Sequence, residues 1–181
     1  MSFLQQLERG NYVQSNGPHE CGHIVVLFKK RRLIGLDFLP HEQALDGAKG
    51  VFETATVELS KEDCVALAAG LVGELVCVGQ YDSQRILDDR NKVKEIVGQP
   101  LEDFVLEAYA VIQDNLLFFA LLNIQVQQKM LALLNHVFSL SDEDYGKLPA
   151  RIAVITLAEI ERVYEQAQST LDGFSPQSGA L

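Results

Sequence analysis

Pro18-His19-Glu20-Cys21-Gly22-His23-Ile24-Val25-Val26-Leu27-Phe28 reads as a helix with chemistry on one face and core on the others. At about 100° per residue, His19 and His23 fall about 40° apart, so both imidazoles can reach one tetrahedral Zn²⁺. Glu20 projects from the side next to His23, where its carboxylate can take a proton from a metal-activated water as a general base. The plain alternative is a pair of satisfied polar histidines on an ordinary buried helix. Cys21 lies on the far side of the wheel and reads as core packing. Gly22 costs about 1 kcal/mol relative to Ala inside a helix, and close approach of another backbone would offset that cost.

Working outward, Asn16-Gly17-Pro18 predicts a helix that starts at Pro18, leaving residues 1–16 as a separate polar segment. Lys29-Lys30-Arg31-Arg32 suits the helix's negative end. Leu33 to Leu39 and Val51 to Leu59 read as two paired strands. Ser60 opens a second helix with Asp63 as a capping-box partner, and Gly79 closes it. Its run from Cys64 to Val78 is too apolar for an exposed helix. A loop over Gln80 to Leu87, a helix over Asp88 to Val97 and a stop at Gly98 and Pro100 follow. Leu101 to Val137 keeps helical spacing with a bend near Asp114-Asn115. Ser139 to Pro149 reads as a loop, Ala153 to Ser169 as the last helix, and residues 172–181 as a mobile tail.

With 181 residues and 15 basic against 25 acidic side chains, the chain is one domain of net charge −10. A phosphate-backbone binder needs clustered Lys and Arg, so nucleic acid is not expected as a partner. Three cysteines, Cys21, Cys64 and Cys77, with no CxxC pair suit a reducing, cytoplasmic setting. No uncharged apolar segment reaches the ~18 residues that span a bilayer. There is no phosphate loop, so any nucleotide-driven step would need a separate ATPase partner.

A zinc site needs a third protein ligand. His41 and His136 read as solvated loop and helix-end residues, and the carboxylates are the better candidates. Glu74 sits in a nearly wholly apolar helix, where an unpaired carboxylate costs several kcal/mol, so it should bond a metal-binding histidine or a backbone amide.

Three blocks resemble the peptidase domain of the FtsH family of zinc metallopeptidases. His19-Glu20-Cys21-Gly22-His23-Ile24-Val25 is similar to its HExxH helix, Leu67 to Val76 to its second helix, and Asp88 to Val97 to its third conserved segment. The resemblance covers about Gly17 to Val97 in the family's order and implies a mainly helical, zincin-like α+β domain over residues 17–171 with a small sheet. It implies Zn²⁺ held by His19, His23 and Asp89, with Asp88 one register shift away and helix capping as the other use of either aspartate. The family proper carries an ATPase module and usually a membrane anchor, which this sequence does not contain. A helix starting at Pro18 would put His19 in a fraying first turn and weaken the metal. The expected function is a zinc-dependent peptidase acting on peptides or unfolded proteins, compatible with a homo-oligomer. The alternatives are a non-catalytic helical interaction protein keeping a structural or relic metal site, and a hydrolase of a small amide.

Overall fold

The computed structural model describes residues 3–33, 35–42, 51–54, 59–83 and 85–174. The first helix, α1, runs Phe3–Lys29 with Pro18 inside it. The start predicted at Pro18, and the boundary after residue 16, therefore fall within a continuous helix. Proline removes one N–H bond there, but tertiary burial outweighs that loss. Val13 and Asn16 are buried, and Gly17 lies against Gln127. His19 accordingly stands in mid-helix, not in a fraying first turn. After Lys29, Arg31 takes a left-handed φ of 56°. The amides of Arg31 and Arg32 turn back to the carbonyls of Phe28 and Leu27, which ends the helix by a Schellman arrangement.

The basic run beyond α1 serves as a set of anchors. Arg32 pairs with the fully buried Asp63 at 2.9 Å. Asp63 also accepts from the Ser60 amide at 2.8 Å and its hydroxyl at 2.9 Å, as the sequence predicted for a capping partner. A 3₁₀ turn over Lys61–Asp63 leads into α2, Cys64–Val78, which Gly79 closes with a φ of 74°. Then come α3, Leu87–Val97, a 3₁₀ turn over Leu101–Phe104, α4, Val105–Asp114, and α5, Leu116–Val137. The break at Asn115 is where the bend was expected. The predicted 139–149 loop contains one short helix, α6, Asp142–Tyr145.

A small antiparallel sheet has the order β2-β1-β3, with β1 at Gly35–Leu39, β2 at Val51–Glu53 and β3 at Ile152–Thr156. The second strand is shorter than predicted: pairing stops at Glu53, and residues 55–58 lie outside the described set. The third strand was missed, because Ala153 to Ser169 was read as helix throughout. Ile152, Val154, Ile155 and Thr156 are β-branched and fit a strand better than a helix. Thr156 then opens the last helix, α7, Leu157–Phe174. The predicted tail thus begins three residues inside a helix, and residues 175–181 lie outside the described set.

The core forms where α1 packs on α2 and α5, α2 on α4, and α5 on α7. Helix α5 is long and apolar enough to cross a membrane by length and composition. Its Phe118, Phe119, Leu122, Val126, Met130 and Leu134 are buried in this core. The fold is therefore a mainly helical α+β domain with a small sheet.

The junction of β3 and α7 supplies a test. Glu159 accepts from Lys129 at 2.7 Å and from the Thr156 amide at 2.9 Å. First the lysine and then the amide hold its carboxyl down at about 2, below the ordinary 4.5. A depressed folded value adds stability above the unfolded pKa and loses it as pH falls through the folded one. Glu159→Gln should cost about 1 kcal/mol at pH 7, the scale of a helix cap. In urea melts that gap should close as the pH falls from 4.5 towards 2.

Candidate metal centre

The site is built where α1 and α2 cross, and glycine makes the crossing possible. A Cβ at Gly22 would strike the Ala69 carbonyl, and one at Gly73 would strike the Pro18 carbonyl. The two backbones therefore meet with no side chain between them, which is the compensation expected for Gly22. Gly70 does a different job. A Cβ there would lie 2.7 Å from Cε1 of His19 and from Cε1 and Nε2 of His23, so its bare Cα leaves the space that the two rings occupy. The rings stand edge to face with centroids 4.6 Å apart.

Hydrogen bonds fix which nitrogen of each ring carries a proton. His19 Nδ1 donates to Glu74 Oε1 at 2.8 Å, and His23 Nδ1 donates to the Ala66 carbonyl at 2.7 Å. Both partners are acceptors, so in the neutral rings both Nε2 atoms are bare lone pairs. These atoms face each other at 3.1 Å, and each lies 3.4 Å from Asp89 Oδ2. That oxygen is buried and has no hydrogen-bond partner. Three converging lone pairs are unfavourable unless a proton or a metal ion sits between them.

The titration behaviour has the same origin. Burial pulls His19 down, but the Asp89 and Glu74 carboxylates outweigh it and lift the ring to about 9. Burial would raise Asp89, yet the facing His23 and His19 hold its carboxyl well below the usual range. Without a metal, the cavity attracts a proton. His19, His23 and Asp89 thus form a buried group that could hold a metal ion.

Asp89 is the aspartate brought to the histidines, and Asp88 is exposed. Glu74 makes both bonds considered for it, since its Oε2 accepts from the Asp82 amide at 2.9 Å. Glu20 is buried beside the cluster, and Thr54 Oγ1, just past β2, donates to its Oε2 at 2.7 Å. Cys21 is fully buried, with its thiol pushed well above the ordinary range by burial, and it packs in the core. His41 donates from Nε2 to the Leu148 carbonyl at 2.9 Å, and His136 is exposed at the end of α5. Neither belongs to the cluster.

Sequence reasoning missed Thr54 and the work of Gly70. A hydroxyl just beyond a strand gives no local sign of its partner, whereas the small run Ala68-Ala69-Gly70 opposite Gly22 did carry a packing signal. No family model, curated protein or solved structure matches the chain.

Two substitutions separate ligand from bystander. Asp89→Ala should abolish one-to-one uptake of a divalent metal in equilibrium dialysis, while Asp88→Ala should bind as wild type does. Gly70→Ala should weaken uptake at least about tenfold, because its methyl displaces both rings by more than a tightly packed site absorbs. Normal uptake by Gly70→Ala would contradict the cradle.

Proposed function

We propose that this protein is a zinc-dependent peptidase with a zincin-like catalytic domain resembling that of the FtsH family. The observation that carries the proposal is the trio of bare lone pairs with Glu20 held beside it. Two imidazoles and one carboxylate form a donor set suited to Zn²⁺ in a catalytic site, where three protein ligands leave a position open. Bonds of about 2.0–2.2 Å in a tetrahedron put ligand atoms about 3.3–3.6 Å apart. The spacings of 3.1, 3.4 and 3.4 Å come close to that before any metal has adjusted them.

When bound, zinc would polarise the scissile carbonyl and acidify water. Glu20 takes the proton from the attacking water and delivers it to the leaving amine, so each proton has a named carrier. Thr54 holds one carboxylate oxygen of Glu20 and leaves the other free for that transfer. Glu74 holds the His19 ring, and the Ala66 carbonyl the His23 ring, so that both Nε2 atoms face inward. Strand β2 is at the sheet's edge and runs directly into Thr54, so an extended peptide added to that edge would lie next to Glu20.

Peptides and unfolded proteins are the proposed substrates, with a separate ATPase as a partner where folded substrates must be opened. The three free cysteines accord with a reducing, cytoplasmic setting. A second reading, a non-catalytic interaction protein keeping a structural metal, draws on one observation. Leu106, Tyr109, Leu116, Ile124 and Leu131 stand exposed along α4 and α5.

The deciding experiment compares wild type with Glu20→Gln for zinc content and for cleavage of an unfolded protein. The variant should keep its zinc and lose roughly 10²–10⁴-fold in kcat. Zinc without cleavage in either protein would favour the structural metal, and no zinc in wild type would remove both readings. Thr54→Val should lower kcat about tenfold with little change in KM, and Thr54→Ser should restore it, since a single orienting hydrogen bond is worth about 1–1.5 kcal/mol.

A further inference from the structure

Arg85 lies in the α2–α3 loop, and its Nη1 is 3.6 Å from Glu74 Oε2. That nitrogen is buried and has no hydrogen-bond partner among the described residues. The guanidinium's other neighbour, the Asp82 carboxylate, is half-exposed and 3.9 Å from Nη2. A buried cationic nitrogen without a hydrogen bond is costly unless a nearby opposite charge offsets it, and the buried Glu74 carboxylate is the closest such charge.

We propose that Arg85 is a positioning residue for the metal centre, acting through Glu74 on His19; this rests on the zinc reading above. The chain of contacts is short: Arg85 Nη1 faces one oxygen of Glu74, and the other oxygen takes the His19 Nδ1 proton at 2.8 Å. Glu74, Asp89 and Glu20 are all buried. A dication offsets two of those three carboxylates, and Arg85 offsets the third. Without it the loaded site would carry an excess negative charge in a region that water screens only weakly. Arg85 also stands four residues before Asp89. Between them Ile86 is fully buried in the core. A single pinned segment therefore delivers the third ligand to the histidines and the balancing cation to the carboxylate behind them. Glu74 is drawn from both sides, and His19 is held at the angle its ligand role requires.

The test measures zinc affinity by competition with a fluorescent chelator in wild type, Arg85→Met, Arg85→Lys and Lys92→Met. Loss of an outer partner of a metal-binding histidine lowers affinity roughly 10–100-fold. Arg85→Met should fall in that range, Arg85→Lys should recover most of it by restoring the charge, and Lys92→Met, which removes an exposed cation on α3, should bind as wild type does. With Co²⁺ in place of zinc, the visible absorption of Arg85→Met should shift, a change that general loosening of a surface loop would not produce. Should Arg85→Met fail to fold, Arg85→Gln provides the same comparison. Equal affinity and equal Co²⁺ spectra in wild type and the uncharged variant would overturn the proposal while leaving the zinc site standing. Absence of zinc binding in wild type would overturn both.

Discussion

Two helix backbones meeting without side chains between them is the constraint on which the rest of this molecule depends. Gly22 and Gly73 let α1 and α2 approach until each backbone touches the other's carbonyls, and Gly70 leaves the space that the imidazoles fill. Each glycine within a helix costs about 1 kcal/mol of local stability against alanine. That loss is recovered through an interface in which Cys21, Ile24, Val25, Ala68 and Ala69 are almost wholly excluded from water. The same closeness sets the chemistry, because it brings the Ala66 carbonyl and the Glu74 carboxylate within hydrogen-bond reach of the rings on α1. Packing and site geometry are one arrangement.

Burial turns that geometry into electrostatics. Carboxylates and imidazoles at a protein surface would be screened by water, but here Glu74, Asp89, His19 and His23 are nearly dry. Interactions among them are correspondingly strong, and His19 is lifted to about 9 even though burial alone would lower it. A site that holds a proton so firmly resists the metal by the same attraction that favours it. Metal and proton are competing for the same lone pairs. The peptide groups around the cluster contribute directions as well as charge: a carbonyl can only accept, so His23 has no freedom over which nitrogen it turns inward.

Much of this was legible from side-chain types in sequence. Two histidines one helical turn apart, an acid between them and a glycine where alanine would be cheaper pointed to a helix with a reactive face and a close neighbour. Ser60 with Asp63, and Gly79, marked the ends of α2 by local chemistry alone. The start of α1 was not legible, and the third strand was legible only as a β-branched run with no partner in view. Pro18 is a strong local start signal, yet Val13 and Asn16 are buried, and tertiary packing carries the helix back through it. Ile152 to Thr156 is as apolar as a helix segment would be, and it becomes a strand because β1 offers it a hydrogen-bonding edge. Thr54 and Arg85 act on residues 34 and 11 positions away respectively, a relationship that no local pattern encodes.

The distribution of ligands along the chain has a consequence for the fold. His19 and His23 come from α1, with Glu74 behind His19 on α2, and Asp89 comes from the first turn of α3, so a cation between them ties α3 to a helix pair with which it makes few direct contacts of its own. Helix α3 is polar along most of its length and buries only Asp89 and Val93. Its docking relies little on apolar surface. A metal bridging Asp89 to the histidines would therefore stabilise the docking of α3 more than that of α1 and α2, whose interface is already closed by backbone contact. Binding free energy that is available only in the folded arrangement is folding free energy, and in this molecule it would go chiefly to a helix that buries little apolar surface of its own.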